Sequence, residues 1–107
     1  MANFESVRVE TLPAGTLLDV REDYEWEAGH AEGAVHIPMD QLPARLGELD
    51  PDEDLLVVCR TGGRSARVTG WLVDQGYSAM NVAGGMDAWL ESGRPLVSEN
   101  GQQPTVL

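Results

Sequence analysis

The sequence of 107 residues contains no lysine, so all seven of its basic side chains are arginines. It contains 18 acidic side chains, which give a formal net charge of −11. Nucleic-acid binding needs a basic stripe, so this composition argues against a nucleic-acid partner. The same charge repels anionic substrates at long range, but screening over roughly 8 Å leaves clustered arginines in control of a local site.

Long apolar runs are also missing. Residues 1–10 include three charged side chains and no apolar run, so we expect no secretory signal, no membrane partner and a cytoplasmic location. Apolar residues make up 42 % of the chain and charged residues 23 %, which is typical of one globular domain. We place that domain at residues 1–97, followed by a flexible polar tail at 98–107 that contains Gly101 and Pro104.

Only one cysteine is present, Cys59. A single thiol forms no intrachain disulfide, which excludes the disulfide-stapled secreted scaffolds. Taken alone, a free cysteine is most often a small buried hydrophobe, so the residues around it must decide its role. The two histidines, His30 and His36, have no partner cysteine at a zinc-site spacing, and we therefore expect no metal and no cofactor.

Short apolar runs alternate with helix-like stretches, a pattern that predicts an α/β fold with a parallel sheet. The continuously apolar run at residues 55–58 predicts a central strand covered on both faces, whereas the alternation at 7–11 predicts an edge strand. Ser65 is the predicted N-cap of one helix. Further strands are expected at 16–20, 34–37 and 79–82, and helices at 22–28, 40–49, 65–75 and 86–92.

A glycine-rich loop directly follows the predicted central strand, with the sequence CRTGGRS at residues 59–65, and a helix follows it. Ligands of open parallel sheets bind beyond the carboxyl ends of the strands, so Cys59 emerges where a site belongs. Such a turn directs backbone N–H groups at one point, and the helix N-terminus and two arginines add positive charge. These surroundings lower a cysteine pKa from about 8.5 to roughly 3.5–7.5. We expect Cys59 to be an activated nucleophile whose side chain is not sealed in the interior.

Four stretches of the sequence carry a resemblance: LLDVR at 17–21, GHAEGAVHIP at 29–38, CRTGGRS at 59–65 and GGMDAWLESGRP at 84–95. Together they resemble the signature segments of the rhodanese family. They appear in the family's order and spacing and span most of residues 5–96. One departure is Glu32, where family members usually have proline or a similar residue. The resemblance implies a five-stranded, mainly parallel sheet with helices on both faces.

The same resemblance implies the roles of the site residues. Cys59 would be the catalytic nucleophile that carries sulfur as a persulfide inside the six-residue loop 59–64. Asp19 and Arg21 match a family pair that we interpret as structural, bracing the loops near the site. No metal or cofactor is implied. The implied substrate-binding residues are Arg60, Thr61, Gly62, Gly63, Arg64 and Ser65.

The function implied is that of a thiosulfate sulfurtransferase, which passes sulfur from thiosulfate to cyanide or a thiol acceptor. Thiosulfate is preferred because Arg60 follows the cysteine, whereas relatives that use mercaptopyruvate tend to have a small uncharged residue there. An alternative is a sulfur-relay or binding module whose acidic surface serves a protein partner. Cysteine phosphatases and arsenate reductases are a further alternative, but their loops need five residues between cysteine and arginine, and only four, 60–63, intervene here.

Overall fold

A five-stranded parallel sheet forms the middle of the molecule. The computed structural model describes residues 3–107. The strands in chain order are β1 (Glu5–Arg8), β2 (Thr16–Asp19), β3 (His30–Ala31), β4 (Val35–His36), β5 (Asp54–Val58), β6 (Ser78–Ala83) and β7 (Leu96–Val97). Five of them form the main sheet in the order β1-β6-β5-β2-β4, and every neighbouring pair is parallel.

Strand β5 lies in the centre of this sheet, as its apolar sequence predicts. Leu55 and Val57 pack into one apolar cluster, while Leu56 and Val58 pack into another. Successive side chains of a strand point to opposite faces, so the two clusters lie on opposite sides of the sheet. A strand buried on both faces needs no polar alternation, which explains the continuous apolar run.

Helices cover both faces, which confirms the expected α/β architecture. The helices are α1 (Asp23–Ala28), α2 (Leu42–Arg45), α3 (Gly63–Asp74) and α4 (Gly85–Glu91), with short 3-10 turns at Val9–Thr11, Met39–Gln41 and Leu46–Glu48. Leu42 of α2 and Leu72 of α3 pack into the cluster of Leu55. Met86 and Trp89 of α4 pack into the cluster of Leu56.

Two predicted elements differ in form and not only by a residue or two in their bounds. The edge strand is present as β1, but residues 9–11 form a 3-10 turn because Val9 turns into the core, where it is buried. The helix predicted at 40–49 is divided into a 3-10 turn, α2 and a second 3-10 turn. Gly47 lies in its second half, and glycine disfavours a helix interior by about 1 kcal/mol relative to alanine.

The prediction of Ser65 as a helix N-cap is wrong. Helix α3 begins two residues earlier, and Gly62 occupies the N-cap position with a φ of 114°. Ser65 therefore lies in the first turn, and its hydroxyl bonds to Asn81 on the neighbouring strand β6. A left-handed backbone at Gly62 suits glycine, so the loop conformation and not the serine side chain starts the helix.

The last residues of the chain run beside α1. Strand β7 pairs with β3 in an antiparallel ladder of two residues each, which is too short for a sequence pattern to indicate. Beyond it, the Glu99 and Thr105 N–H groups donate to the carbonyls of Glu27 and Ala28, each at 2.9 Å. The domain boundary at residue 97 and the flexibility of residues 98–107 stay predictions. Within residues 3–107, no helix has the length and apolar character needed to cross a membrane.

Candidate functional site

Three neighbouring strands end at the same edge of the sheet, and each leads into part of the candidate site. Strand β2 ends at Asp19, β5 is followed directly by Cys59, and β6 is followed by Gly84 and the start of α4. Because β5 lies between β2 and β6, the loop that carries Cys59 is flanked by the other two. The parallel topology therefore brings together residues that lie far apart in the sequence.

The Cys59 sulfur lies inside a ring of hydrogen-bond donors from its own loop. The Gly62 N–H donates to Sγ at 3.1 Å, and the Ser65 Oγ lies 3.3 Å from Sγ. The backbone N–H groups of Thr61 and Ser65 also lower the pKa of this thiol. The turn at Gly62 and the first turn of α3 are what direct these amides toward one point.

These donors make the sulfur more acidic than an ordinary thiol. Burial raises the pKa of the Cys59 thiol, but the Ser65 hydroxyl and the backbone N–H groups of Ser65, Gly62 and Thr61 lower it. The donors outweigh burial, so the pKa lies below its usual value. The site therefore favours the thiolate, which is the nucleophilic form of cysteine.

The expectation that the thiol is open to solvent is wrong for this conformation. Cys59 is only 1 % exposed, and its side chain packs against the apolar cluster of β5 and α3. The physical reason is that the loop curls over the sulfur in order to direct its amides inward. A reaction partner reaches Sγ only if the loop moves away from the sulfur. The same movement takes the donors away from Sγ, so access to the sulfur and stabilisation of the thiolate compete at this site.

The two arginines of the loop are both paired with carboxylates. Arg64 donates to both carboxylate oxygens of the buried Glu25, at 2.7 and 3.0 Å, and this pairing raises the pKa of Arg64. Arg60 Nε lies 3.4 Å from Asp87 Oδ1, and the Arg60 side chain is 53 % exposed. The net positive charge expected from the two arginines is thus offset locally. The low thiol pKa rests on the amides and the Ser65 hydroxyl, and the substrate-binding roles of both arginines stay predictions.

Asp19 and Arg21 form a completely buried ion pair beside the loop. Arg21 Nη2 lies 2.8 Å from Asp19 Oδ2, and neither side chain is exposed. The same nitrogen donates to the Gly29 carbonyl at 2.8 Å, and Nη1 approaches the Glu25 carbonyl at 3.5 Å. Arg21 therefore ties the end of β2 to the end of α1, the helix that carries the partner of Arg64. This is the geometry of a brace, and the structural role expected for the pair stays a prediction.

Helix α4 holds the Cys59 loop from behind, a role that sequence reasoning missed. The Met86 and Asp87 N–H groups donate to the carbonyls of Cys59 and Arg60, at 2.8 and 3.0 Å. A Cβ atom on Gly85 would lie 2.7 Å from the Arg60 carbonyl oxygen and closer still to that of Cys59. The paired glycines in the GGMDAW stretch were the available signal, since glycine allows this close approach.

Glu25 and Asn81 were also missed, because nothing near them in the sequence indicates their partners. Glu25 lies in α1, where it accepts hydrogen bonds from Arg64 and from the Glu22 N–H. Asn81 lies in β6, where it accepts the Ser65 hydroxyl at 2.6 Å. Both contacts join residues on different elements, so they become visible only once the fold is known.

Neither histidine is arranged as a metal ligand. Both imidazole rings stack on Trp26, with centroid distances of 3.5 Å for His30 and 4.6 Å for His36. Nε2 of His30 lies 2.8 Å from a Glu99 carboxylate oxygen, and Nε2 of His36 lies 2.8 Å from the Arg21 carbonyl. Across the described part of the chain, no three histidine, cysteine or acidic side chains are grouped so that they could hold a metal ion.

The protein is thus an α/β domain that carries a thiolate-stabilising cysteine loop at the carboxyl edge of a parallel sheet. The model of the family described as "Rhodanese-like domain" matches residues 6–92. The chain therefore belongs to the rhodanese-like domain family, as the four sequence stretches indicate. Its relatives place it among the single-domain sulfurtransferases of that family.

Two relatives and one solved structure show how close the similarity is. The Bacillus subtilis protein YtwF is 43 % identical over 79 residues, which cover 74 % of this chain and 77 % of that protein. A protein of Allochromatium vinosum named "Sulfurtransferase" is 36 % identical over 86 residues, covering 79 % and 80 %. The crystal structure of a rhodanese-related protein from Thermoplasma volcanium matches with a TM-score of 0.82 and 33 % identity, covering 88 % of this chain and 98 % of that chain.

Proposed function

We propose that the protein is a thiosulfate sulfurtransferase that carries sulfur as a persulfide on Cys59. In the first step, the thiolate attacks the outer sulfur of thiosulfate and the sulfur–sulfur bond of thiosulfate breaks. Sulfite leaves with the electron pair of that bond, and the outer sulfur remains on Cys59. In the second step, cyanide or a thiol attacks the terminal sulfur and regenerates the thiolate.

The ring of donors around the Cys59 sulfur is the observation that supports this proposal. The same amides that favour the thiolate are available to the negative terminal sulfur of a persulfide, provided that the loop from Cys59 to Ser65 moves outward to admit it. Main-chain donors directed at a developing negative charge can supply several kcal/mol of stabilisation. The loop thereby stabilises both charged states of the cycle.

The loop arginines have a proposed role in binding the sulfonate end of thiosulfate. Arg60 is well suited to this, because its side chain is half exposed and its contact with Asp87 is long, at 3.4 Å. Arg64 uses two donors on Glu25, so only its remaining N–H groups are free to contact an anion. Charge-assisted hydrogen bonds from guanidinium groups orient such oxyanions.

Mass measurement of the intact protein after incubation with thiosulfate tests the first step. We expect a gain of one sulfur atom on the parent protein and release of one equivalent of sulfite. The Cys59→Ser variant is the matched control, and it should gain nothing and release no sulfite. A parent protein that stays at its original mass, or a serine variant that releases sulfite at the parent rate, would contradict the proposal.

A sulfur relay that is loaded by a protein partner is a second candidate. It is favoured by the net charge of −11 and by the pairing of Arg60 and Arg64 with carboxylates, since both oppose the binding of a small anion. Loading rates from thiosulfate, which carries two negative charges, and from an alkyl persulfide, which carries at most one on its persulfide group, measured over a range of ionic strength, separate the two. Fast loading by thiosulfate at low salt supports the enzyme. Fast loading by the persulfide, with thiosulfate slow even at high salt, supports the relay.

The proposed setting is the cytoplasm, where reduced thiols persist. A single free cysteine without a disulfide partner fits that compartment. The proposed reactants are a small sulfur donor, a thiophilic acceptor and, in the relay form, a protein acceptor. The acidic charge does not favour a nucleic-acid partner.

A further inference from the structure

The hydroxyl of Ser65 lies between two groups that can both accept its hydrogen. Its Oγ is 2.6 Å from Asn81 Oδ1 and 3.3 Å from Cys59 Sγ. Ser65 and Asn81 are buried, so water is largely kept from taking the place of either contact. A hydroxyl has one hydrogen to donate, and it therefore cannot satisfy the amide oxygen and a sulfur anion at the same time.

The protonation state of Cys59 decides which arrangement is favourable. In the thiol state, the S–H can donate to Ser65 Oγ, and the Ser65 hydrogen can go to Asn81 Oδ1. When the thiol proton leaves to solvent, the thiolate accepts hydrogen bonds only, and the Ser65 hydrogen is then needed on Sγ. Two oxygens 2.6 Å apart would be left without a hydrogen between them, which is costly in the interior.

A rotation of the Asn81 side chain removes this conflict. The amide oxygen and nitrogen exchange places in a half-turn about the last torsion, and the two ends have nearly the same shape. After the exchange, Asn81 Nδ2 donates to Ser65 Oγ, and Ser65 donates to Cys59 Sγ. The chain of hydrogen bonds then runs from the amide to the anion, and each bond strengthens the next.

The charged groups around the loop do not perform this exchange. Each is already paired with a group of opposite charge: Arg64 with Glu25, Arg60 with Asp87, and Arg21 with Asp19. None of these six side chains is hydrogen-bonded to the Ser65 hydroxyl. Within the described contacts, the response of Ser65 to the charge on sulfur therefore depends on Asn81.

We propose that Asn81 is a positioning residue, which turns its amide so that Ser65 donates to Asn81 when Cys59 is a thiol and to Cys59 when it is a thiolate. This inference rests on the proposed role of Cys59 as the sulfur carrier. Asn81 touches neither the substrate nor the sulfur, and it acts through Ser65. An amide can take both parts, accepting from Ser65 in one state and donating to it in the other, because it contains a donor and an acceptor of equal reach.

Replacement of Asn81 by aspartate removes the donor while preserving shape. The carboxylate of an Asn81→Asp variant holds the Ser65 hydrogen in both states, so the thiolate loses that donor and gains a negative neighbour. We expect the thiolate-to-thiol ratio of Cys59 at a fixed pH to fall about tenfold. Thiolate absorbance and alkylation rate, measured against pH without any sulfur donor, give this ratio. Gln75→Glu, which adds the same charge on the exposed end of α3, should leave it unchanged.

Two further variants separate positioning from structural effects. In a Ser65→Ala background, Asn81→Asp should change the ratio less than in the parent, because the new negative charge still acts on the sulfur but the hydrogen-bond route through the Ser65 hydroxyl is gone. Asn81→Leu leaves the Ser65 hydrogen free for the sulfur, so its ratio should stay within about threefold of the parent. Thermal unfolding of each variant checks folding, and the leucine variant keeps the test valid if the aspartate variant does not fold.

Three results would overturn the role of Asn81. They are an unchanged titration in Asn81→Asp, an equal shift in the Ser65→Ala background, and a leucine variant as impaired as the aspartate variant. The test involves no thiosulfate, so its failure is distinct from failure of the proposed function. A parent that gains sulfur while Asn81→Asp titrates normally refutes only the positioning role. A parent that gains no sulfur while the variants shift as expected refutes only the sulfur-transfer proposal.

Discussion

The Cys59 sulfur and the Asp19–Arg21 brace lie side by side at one edge of the sheet, and both are buried, but they are stabilised by different parts of the chain. The loop stabilises a negative sulfur with the Ser65 hydroxyl and with the backbone N–H groups of Ser65, Gly62 and Thr61. The brace is formed by two charged side chains that bond to each other and to backbone carbonyls. A site built from side chains should fail when a side chain changes, whereas a site built from main chain should fail when the backbone conformation changes.

The largest effect is expected in the brace. Arg21→Met removes the partner of a carboxylate that has no contact with solvent, and an uncompensated buried charge costs about 3–5 kcal/mol of unfolding free energy. Urea unfolding measures this loss. Arg45→Met is the matched control, because Arg45 pairs with Glu48 on the surface, where solvent screening leaves such pairs with little effect on stability. Equal effects of the two substitutions would remove the distinction between brace and surface pair.

The next effect tests the backbone of the loop. Gly85→Ala places a Cβ atom against the carbonyls of Cys59 and Arg60, at a left-handed φ of 55°. We expect a cost of about 1–3 kcal/mol together with a higher thiol pKa, because the loop must shift away from α4. Unfolding and thiol titration of the same variant measure both quantities.

Gly63 provides the control for this substitution. Gly63 lies in the Cys59 loop itself, whereas Gly85 lies in α4 and packs against that loop. A Cβ atom on Gly63 would meet no neighbouring atom, and its φ is not positive. Gly63→Ala should therefore leave the unfolding free energy unchanged or raise it by about 0.4–1 kcal/mol. A Gly63→Ala variant that is as damaged as Gly85→Ala would show that the loop rejects any added side chain, whatever the backbone geometry.

A smaller effect links the charge on sulfur to stability. The folded-state pKa of Cys59 is lowered relative to an unfolded value of about 8.5, so folding favours the thiolate. The contribution of the thiolate to the unfolding free energy is complete above the unfolded pKa and is lost as the pH falls through the folded pKa. Its full size is about 1.4 kcal/mol for each pH unit that separates the two pKa values. The unfolding free energy of the parent should therefore rise relative to that of Cys59→Ser as the pH increases over this window. A constant difference between the two would contradict the lowered pKa.

The smallest effect is expected for a side chain that the loop does not use. Thr61 contributes its backbone N–H to the sulfur, and this group is unchanged in Thr61→Ala. The thiol pKa should stay the same, and the unfolding free energy should change by no more than about 0.5 kcal/mol. A clear rise in the thiol pKa would mean that the Thr61 side chain also contributes to the ring of donors.

The same contrast explains which features could be predicted from the sequence. The central strand and the glycine-rich turn after it are local features, and both were predicted correctly. Ser65 was assigned to the helix cap because its competing partner, Asn81, lies 16 residues away on another strand. The pairing of Arg64 with Glu25 joins residues 39 positions apart, so it too could not be predicted from the sequence. The burial of Cys59 also escaped prediction, because it follows from how the loop curls in three dimensions.

The central claim is that the loop holds Cys59 as an anion, and titration of its thiol is the most direct test. The absorbance of the thiolate is followed against pH, first in the folded protein and then in the denatured protein. Because Cys59 is the single cysteine of the chain, each titration gives the pKa of this thiol alone. The account predicts a folded pKa clearly below the denatured one. A folded pKa equal to or above the denatured value would contradict it.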